Sequence, residues 1–355
     1  MTKKLKINKT EINNTRCFIV AELSANHNGK LSNLLKMIKS SKEAGADAVK
    51  IQAYEAEGIT INSNKKYFKL NKKSTWKEYD NLFKLYKKAQ TPKSWYKKIF
   101  SYAKKNKITL FASVFDLGTV DFLEQFNCPA YKIASPEITD IRLISAIGAM
   151  QKPVALSTGI ANWKDVLRAV KILRKEGVKE ICIMNCVSAY PASLEMYPLG
   201  LIGDILELGC VPGISDHTVN SNLGIAAASM GYRVFEKHFN IEENSHVVDA
   251  SFSSTEKVFK EYVAAVGASF FASKNSDLRV VDAARESFRA RRSIFAKNNI
   301  KKGSLLSEND LAVCRPGHGL GAELYFDILG AKVLRDVQAF EPIQLSFLEL
   351  ANAEL

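Results

Sequence analysis

The stretch CFIVAELSANHNGKLSNLLKMIKSSKEAGADAVKIQAY, residues 17–54, contains two short apolar runs separated by a segment with a helical pattern. The runs at 17–23 and 47–54 are typical of buried strands. The segment between them carries apolar residues at spacings of three and four, on one face of a helix: Leu31, Leu34, Leu35 and Ile38. Gly45 can supply the left-handed residue that ends this helix. The stretch therefore predicts a strand–helix–strand unit.

The same alternation continues along the chain until it has supplied eight strands. The further strand candidates lie at 108–115, 129–135, 153–159, 180–186, 211–215 and 232–239. Eight strand–helix units fit a (β/α)8 TIM barrel, which needs about 250 residues, better than an open sheet. We therefore predict an α/β fold with a TIM barrel over residues 1–273.

Two regions depart from the barrel pattern. Residues 55–90 form a long insertion with several aromatic residues, and they predict a lid or rim at the barrel mouth or, equally, an elaboration of the packing. Residues 274–285 are polar and predict a linker. Short apolar runs separated by turn-forming residues then predict a small second domain at 286–350.

Composition and charge limit the functional classes. The 355 residues are 46% hydrophobic and 25% charged, as in soluble globular proteins, and no run approaches the ~18 apolar residues of a membrane span. A net charge of +13 would suit nucleic acid, but scattered lysines favour a solvated surface. The six cysteines form no CxxC pair, which predicts reduced, apolar roles. Because the basic N-terminus lacks an apolar signal segment, we expect a cytoplasmic protein without nucleic-acid or membrane partners.

Polar side chains lie at the end of every predicted strand. In a TIM barrel, the C-terminal ends of the strands carry the chemistry. These ends supply lysines and serines, which neutralise and hydrogen-bond an anion: Lys50, Ser113, Lys132, Ser135, Ser157, Ser188 and Ser215. Each serine alone is equally well explained as a helix cap, but the set predicts a phosphate-binding site.

Two histidines predict a metal site. His217 and His238 end the seventh and eighth strands, which are neighbours in a barrel, so both imidazoles can bind one divalent ion. Glu22 and Glu236 are expected beside them. Two protein nitrogens leave positions for water and substrate, as a Lewis-acid site requires and a structural zinc site does not. His27, in the first strand–helix loop, is expected either to touch substrate or to stabilise the turn.

Seven motifs, in this order, resemble those of the sialic acid synthase family. They are AELSANHNG (21–29), AGADAVKIQ (44–52), YKIASPE (131–137), LSTGIA (156–161), SAYP (188–191), GISDHT (213–218) and FEKHF (235–239). Residues 291–321 are similar to the antifreeze-like (SAF) domain that follows the barrel in these enzymes. Within the family, the first motif and residues 76–92 are more similar to pseudaminic acid synthases than to neuraminate synthases.

The resemblance implies a transferase that condenses phosphoenolpyruvate with an N-acetylated amino sugar, forms a nine-carbon 2-keto acid and releases phosphate. It implies a divalent metal, Mn²⁺ or Mg²⁺, on His217 and His238. It implies that the lysines and serines named above bind phosphoenolpyruvate. Sugar contacts fall on Glu22, Tyr190, Asp249 and Arg315, and the candidate catalytic residues are Glu22, Glu137 and Glu236. Arg315 also implies a domain-exchanged homodimer, in which the small domain of one protomer reaches the barrel of its partner.

Several alternatives stay open at this point. They are an N-acetylneuraminate or legionaminate synthase, a 3-deoxy-octulosonate-type synthase, an aldolase, and a nonenzymatic basic binding protein. The chain departs from the family pattern at Val114, at Asn185 and in the stretch 243–253. We expect these departures to lie near the sugar and to affect its identity more than the reaction.

Overall fold

Eight parallel strands close into a barrel in a computed structural model that describes residues 5–13, 15–71, 76–241, 247–274 and 282–350. Each strand pairs with the next along the chain, and the eighth pairs with the first. The strands are β1 Phe18–Glu22, β2 Ala48–Ala53, β3 Thr109–Val114, β4 Tyr131–Ile133, β5 Val154–Ser157, β6 Ile181–Cys186, β7 Val211–Asp216 and β8 Val234–His238. The prediction of a (β/α)8 barrel is confirmed.

Helices connect the strands and surround the barrel. They are α1 Leu31–Glu43, α2 Ala56–Ile59, α3 Leu82–Ala89, α4 Tyr96–Lys105, α5 Leu117–Glu124, α6 Ile141–Ala149, α7 Trp163–Lys175, α8 Ile202–Glu207, α9 Asn222–Met230 and α10 Glu256–Ala272. Helix α1 buries Leu34, Met37 and Ile38, and Gly45 follows it with φ of 98°, the left-handed conformation that glycine favours. Across the described ranges, no helix has the length and apolar character needed to cross a membrane.

A short hairpin precedes the barrel. Leu5–Ile7 and Thr10–Ile12 pair antiparallel, and Leu5, Ile7 and Ile12 are buried in the barrel core. Leu5 and Ile7 line a small apolar cavity together with Val154 and Val234, which begin their strands. The hairpin therefore covers the N-terminal end of the barrel. The strand–helix alternation did not predict it.

Residues 276–355 form a second compact unit, separate from residues 1–275. Ser293–Ala296 pairs antiparallel with Leu311–Cys314, and Lys332–Val333 pairs with Leu348–Glu349. These short strands enclose an apolar core that includes Ile294, Ile300, Leu306, Ile328, Val333 and Ile343. The predicted linker 274–285 lies largely outside the described residues, and independent folding of residues 286–350 stays a prediction.

Candidate active site

The C-terminal ends of the barrel strands surround a cavity of about 290 Å³. Most of the residues singled out from the sequence line it. They are Glu22, Lys50, Ser113, Lys132, Ser135, Ser157, Tyr190, Ser215, His217, Glu236, His238 and Asp249. Every strand, or the loop that follows it, therefore contributes to the cavity, although these residues are spread over more than 200 positions of the chain.

Alternation along the strands decides which side chains reach the cavity. In β8, Glu236 and His238 line the cavity, whereas Lys237 between them points to the other face. Lys237 Nζ lies 3.2 Å from Asp216 Oδ2 and 5.1 Å from the centre of the Tyr262 ring. This outer pair is part of the packing against α10, so it is separate from the site.

Lys50 is the centre of a buried ion-pair network. Its Nζ lies 2.7 Å from Glu22 Oε2 and 3.2 Å from Glu236 Oε1, and it donates a hydrogen bond of 2.8 Å to Ser113 Oγ. Burial alone would lower the pKa of Lys50, but the two carboxylates raise it above its ordinary value. Lys50 is therefore a fixed positive charge in the cavity.

Lys132 pairs with the same carboxylate from another side. Its Nζ lies 3.1 Å from both oxygens of Glu236, and Ser215 Oγ donates a hydrogen bond of 3.0 Å to Glu236 Oε1. Burial alone would raise the pKa of Glu236, but Lys132 and Lys50 lower it well below its ordinary value. The lysines and serines thus already surround one negative charge, which is the property expected of an anion site.

Ser135, Ser188 and Gly159 form a narrow seat beyond β4, β5 and β6. The backbone N–H of Gly159 donates a hydrogen bond of 2.9 Å to Ser135 Oγ. A Cβ at Gly159 would collide with the hydroxyls of Ser188 and Ser135 and lie 3.0 Å from the backbone nitrogen of Ser188. Ser188 does not line the main cavity, but it meets Ser135 at this glycine.

His217 and His238 meet at the cavity, as the strand order predicts. Their ring centroids are 5.5 Å apart, and the planes are inclined at 61°. His217 Nδ1 lies 2.7 Å from the carbonyl oxygen of Val187, so Nδ1 carries the proton and Nε2 keeps its lone pair. Burial lowers the pKa of His217 to about 4, so the ring is neutral, the form that binds metal.

The donor set fits a divalent ion with open positions. In the described part of the chain, no group of three or more His, Cys, Asp or Glu side chains is arranged to hold a metal. His217 and His238 contribute two neutral imidazoles at the cavity, and imidazole nitrogen is a donor that divalent transition-metal ions accept. His238 Nδ1 is buried and has no hydrogen-bond partner among the described residues, so no hydrogen bond from them fixes this nitrogen.

Aromatic and apolar residues close the sides of the cavity. Sequence reasoning did not assign them to the site, apart from noting aromatics in the 55–90 insertion. They are Tyr54, Leu70, Trp76, Leu82, Leu85, Tyr86, Phe115, Cys186, Val248 and Phe252. Trp76 Nε1 donates a hydrogen bond of 2.9 Å to the carbonyl of Val248, which connects the insertion to the loop after β8. This contact supports the lid or rim interpretation of the insertion.

Glu137 lies beside the cavity without lining it. It belongs to the 3₁₀ turn Ser135–Thr139 after β4, and its Oε2 is buried without a hydrogen-bond partner among the described residues. Burial raises the pKa of Glu137 to about 8. Its carboxyl therefore holds a proton at neutral pH, and its catalytic role stays a prediction.

Asp249 is a second carboxyl with an altered affinity for protons. It lines the cavity, and its Oδ2 accepts a short hydrogen bond from Ser24 Oγ. Burial, and then the negative charge of Glu22, raise the pKa of Asp249 to about 7. Asp249 therefore changes its charge near neutral pH.

The predictions for Arg315 and His27 have different outcomes. Arg315 is exposed in the second unit, so its sugar contact stays a prediction. His27 does not line the cavity, and its Nδ1 accepts a hydrogen bond of 3.0 Å from Gly29 N, which favours the turn-stabilising role.

The departures from the family pattern lie in different surroundings. Val114 is buried in the barrel core, and Asn185 Nδ2 donates a hydrogen bond of 2.8 Å to the carbonyl of Pro198. Neither residue lines the cavity, so the expectation that both lie near the sugar has no support in the geometry. In the stretch 243–253, residues 243–246 lie outside the described residues, and Asp249 and Phe252 line the cavity.

The fold and the cavity define a (β/α)8-barrel enzyme in which buried lysines and serines lie beside two histidines. The profile of the NeuB family matches residues 37–276, and that of the SAF domain matches residues 291–349. The chain belongs to the NeuB family and carries a SAF domain. The resemblance drawn from the seven motifs is confirmed.

Relatives of known name cover nearly the whole chain. Pseudaminic acid synthase from Helicobacter pylori is 36% identical over 335 residues, which cover 93% of this chain and 97% of the relative. N,N'-diacetyllegionaminic acid synthase from Campylobacter jejuni is 30% identical over 342 residues, 93% of this chain and 99% of the relative. A solved structure of N-acetylneuraminic acid (sialic acid) synthetase from Leptospira borgpetersenii, in complex with citrate, has 26% identity and a TM-score of 0.70; the match covers 81% of this chain and 95% of that one.

Replacing Asp249 by Asn should change how stability depends on pH. The folded state holds a proton on Asp249 up to about pH 7, whereas the unfolded chain releases it near pH 4. Wild-type stability therefore falls as pH rises between these values, and Asp249→Asn lacks this contribution. In urea unfolding, the variant should gain about 2 kcal/mol relative to wild type between pH 5 and pH 8. A stability difference independent of pH would contradict the raised pKa.

Proposed function

We propose that this chain condenses phosphoenolpyruvate with an N-acetylated amino sugar, forms a nine-carbon 2-keto acid and releases phosphate. The observation that carries the proposal is the meeting of Lys50, Lys132 and several serines with His217 and His238 in one cavity. The names of the relatives support it, since they are synthases of pseudaminic, legionaminic and sialic acids. We place the reaction in the cytoplasm, where phosphoenolpyruvate is produced.

We assign phosphoenolpyruvate to the lysine and serine seat. Its phosphate and carboxylate carry more negative charge than Glu236 alone, so two buried lysines and the serine hydroxyls suit it. The narrow space at Gly159, between Ser135 and Ser188, has the donors that a phosphate requires. The size and charge of this seat favour a compact anion over the polyanionic surface of nucleic acid.

We assign a divalent ion, Mn²⁺ or Mg²⁺, to His217 and His238. The support is the meeting of two neutral imidazoles at a cavity that also holds the anion seat. When bound, such an ion would polarise the aldehyde oxygen of the open-chain sugar.

The residues of the chain then have distinct roles. Lys50, Lys132 and the serines hold phosphoenolpyruvate so that its C3 can form the new bond to the aldehyde carbon. The C2–C3 π electrons form this bond and leave a cation at C2, while the aldehyde oxygen takes up a proton. Water then adds at C2 and gives up a proton, and cleavage of the C2–O bond releases phosphate and forms the keto group. Glu137, which holds a proton at neutral pH, is our candidate proton donor, and Glu22 and Glu236 orient the lysines. The aromatic walls limit the access of other water molecules.

We propose that the acceptor is a diacetamido sugar of the pseudaminic type. The support is the higher identity to pseudaminic acid synthase, 36% against 30% for the legionaminic acid synthase. We also propose, from the family resemblance, that Glu22, Tyr190 and Asp249 contact this sugar and that Arg315 reaches the barrel of a partner subunit. The working enzyme would then be a domain-exchanged homodimer.

Phosphate release tests the reaction directly. Incubation with phosphoenolpyruvate, Mn²⁺ and a panel of acetamido sugars should release phosphate, fastest with 2,4-diacetamido-6-deoxy sugars. His217→Ala and His238→Ala should each lower the rate by more than about 100-fold while circular dichroism stays unchanged. Wild-type rates in both variants would contradict the metal assignment, and inactivation by borohydride in the presence of substrate would favour a Schiff-base aldolase instead.

Gly159→Ala tests the phosphate seat. The added methyl group would enter the space between Ser135 and Ser188, so the KM for phosphoenolpyruvate should rise about tenfold or more, with a smaller change in the KM for the sugar. Gly200→Ala is the matched control, because a Cβ there meets no atom within 4 Å. If Gly159→Ala and Gly200→Ala had equal KM values for phosphoenolpyruvate, the phosphate would not bind beside Gly159.

Mixing two inactive variants tests the exchange of domains between subunits. In a heterodimer of Arg315→Ala and His217→Ala, one site would combine an intact barrel with an intact Arg315. Random assortment should therefore restore about a quarter of the wild-type activity. Differently tagged subunits show whether heterodimers form, and heterodimers without activity would contradict the exchange.

A further inference from the structure

The two histidines of the site are held in different ways. His217 is oriented by the hydrogen bond between its Nδ1 and the carbonyl oxygen of Val187, at 2.7 Å. His238 is buried, at 6% exposed, yet its Nδ1 has no hydrogen-bond partner among the described residues. Metal-binding histidines are commonly fixed by a hydrogen bond at the ring nitrogen that does not bind the metal. With Nε2 as the metal-binding nitrogen of His238, as in His217, the orientation of the His238 ring requires another cause.

Aromatic packing surrounds the His238 ring. The Phe252 ring stands edge-on to it, with centroids 4.9 Å apart and planes inclined at 80°. Phe252 also packs on Tyr190 at 4.9 Å, and Tyr190 in turn lies 4.3 Å from the His217 ring. Phe252 thus contacts His238 directly and is linked to His217 through Tyr190.

Phe252 is itself held firmly against the end of β8. It ends the 3₁₀ turn Ala250–Phe252 and is 3% exposed. Two residues later, Ser254 N donates a hydrogen bond of 2.8 Å to the carbonyl of His238, and Asn240 N donates one of 2.8 Å to the carbonyl of Ser254. The backbone that carries Phe252 is therefore joined to the backbone that carries His238, and the spacing between the two rings is set by these bonds.

We propose that Phe252 is a positioning residue, which holds the imidazole of His238 in its metal-binding orientation in place of the usual hydrogen bond. The inference rests on the assignment of the metal to His217 and His238. A ring already held in one rotamer loses less conformational entropy when it binds an ion than a ring that is free to rotate. A smaller aliphatic side chain at position 252 leaves space for that rotation.

The test is a titration of the purified, metal-free full-length protein with Mn²⁺, followed by electron paramagnetic resonance of the free ion. Phe252→Leu should weaken the Mn²⁺ affinity about tenfold, the effect typical of losing a group that orients a ligand. Phe259→Leu is the matched control, because Phe259 is also buried but packs on Phe239 and Tyr262. It should lower stability while its Mn²⁺ affinity stays within twofold of wild type.

A second arm separates positioning from general loosening of the fold. If Phe252 acts through His238, then Phe252→Leu should have no further effect on Mn²⁺ affinity in a His238→Ala background. The proposal is overturned if Phe252→Leu binds Mn²⁺ like wild type, if Phe259→Leu is weakened equally, or if the two losses simply add. An absence of Mn²⁺ binding by the wild type would overturn both this inference and the metal assignment, whereas the other outcomes leave the proposed reaction intact.

Discussion

Two buried lysines need carboxylates beside them to balance their charge, and the rest of the site depends on this constraint. Lys50 and Lys132 are almost inaccessible to solvent, and a buried ammonium group costs several kcal/mol unless it is paired. Glu22 and Glu236 supply the opposite charges, and Ser113 and Ser215 complete the hydrogen bonding. Glu236 already lies within ion-pair distance of both lysines. A bound anion would compete with this carboxylate for the same two ammonium groups.

The barrel makes this charge arrangement possible, because eight strand ends converge on one small region. The N-terminal hairpin lies at the opposite end of the barrel, and the polar cavity lies on the side of the strand–helix loops. Insertion residues and the loop after β8 then add apolar walls, joined through Trp76 and Val248. Low polarity around the cavity strengthens each ion pair inside it.

The proposed metal site and the proposed anion seat share one scaffold and have different electrostatics. The seat contains lysines and carboxylates that form ion pairs with each other. His217, by contrast, is kept neutral by burial and is oriented by the carbonyl of Val187 and by the Tyr190 ring. The imidazoles carry no charge, and carboxylates balance the charges of the two lysines. An incoming cation would therefore not be repelled by unpaired positive charge. The same cavity can therefore accept an anion and a cation side by side, as the proposed condensation requires.

The sequence by itself determined the barrel and the polar residues that line the cavity, because apolar runs alternate with helices eight times and polar residues end every strand. Only the tertiary structure decided which of these side chains face inward. Asn185 and Lys237 point away from the cavity since alternation depends on the exact register of each strand. It also decided that Phe252 packs on His238 and that Trp76 meets Val248, which are contacts made by residues outside the helices and strands that the pattern predicts. Such contacts leave no periodic pattern in the chain, because loop positions follow from packing rather than from local backbone preference.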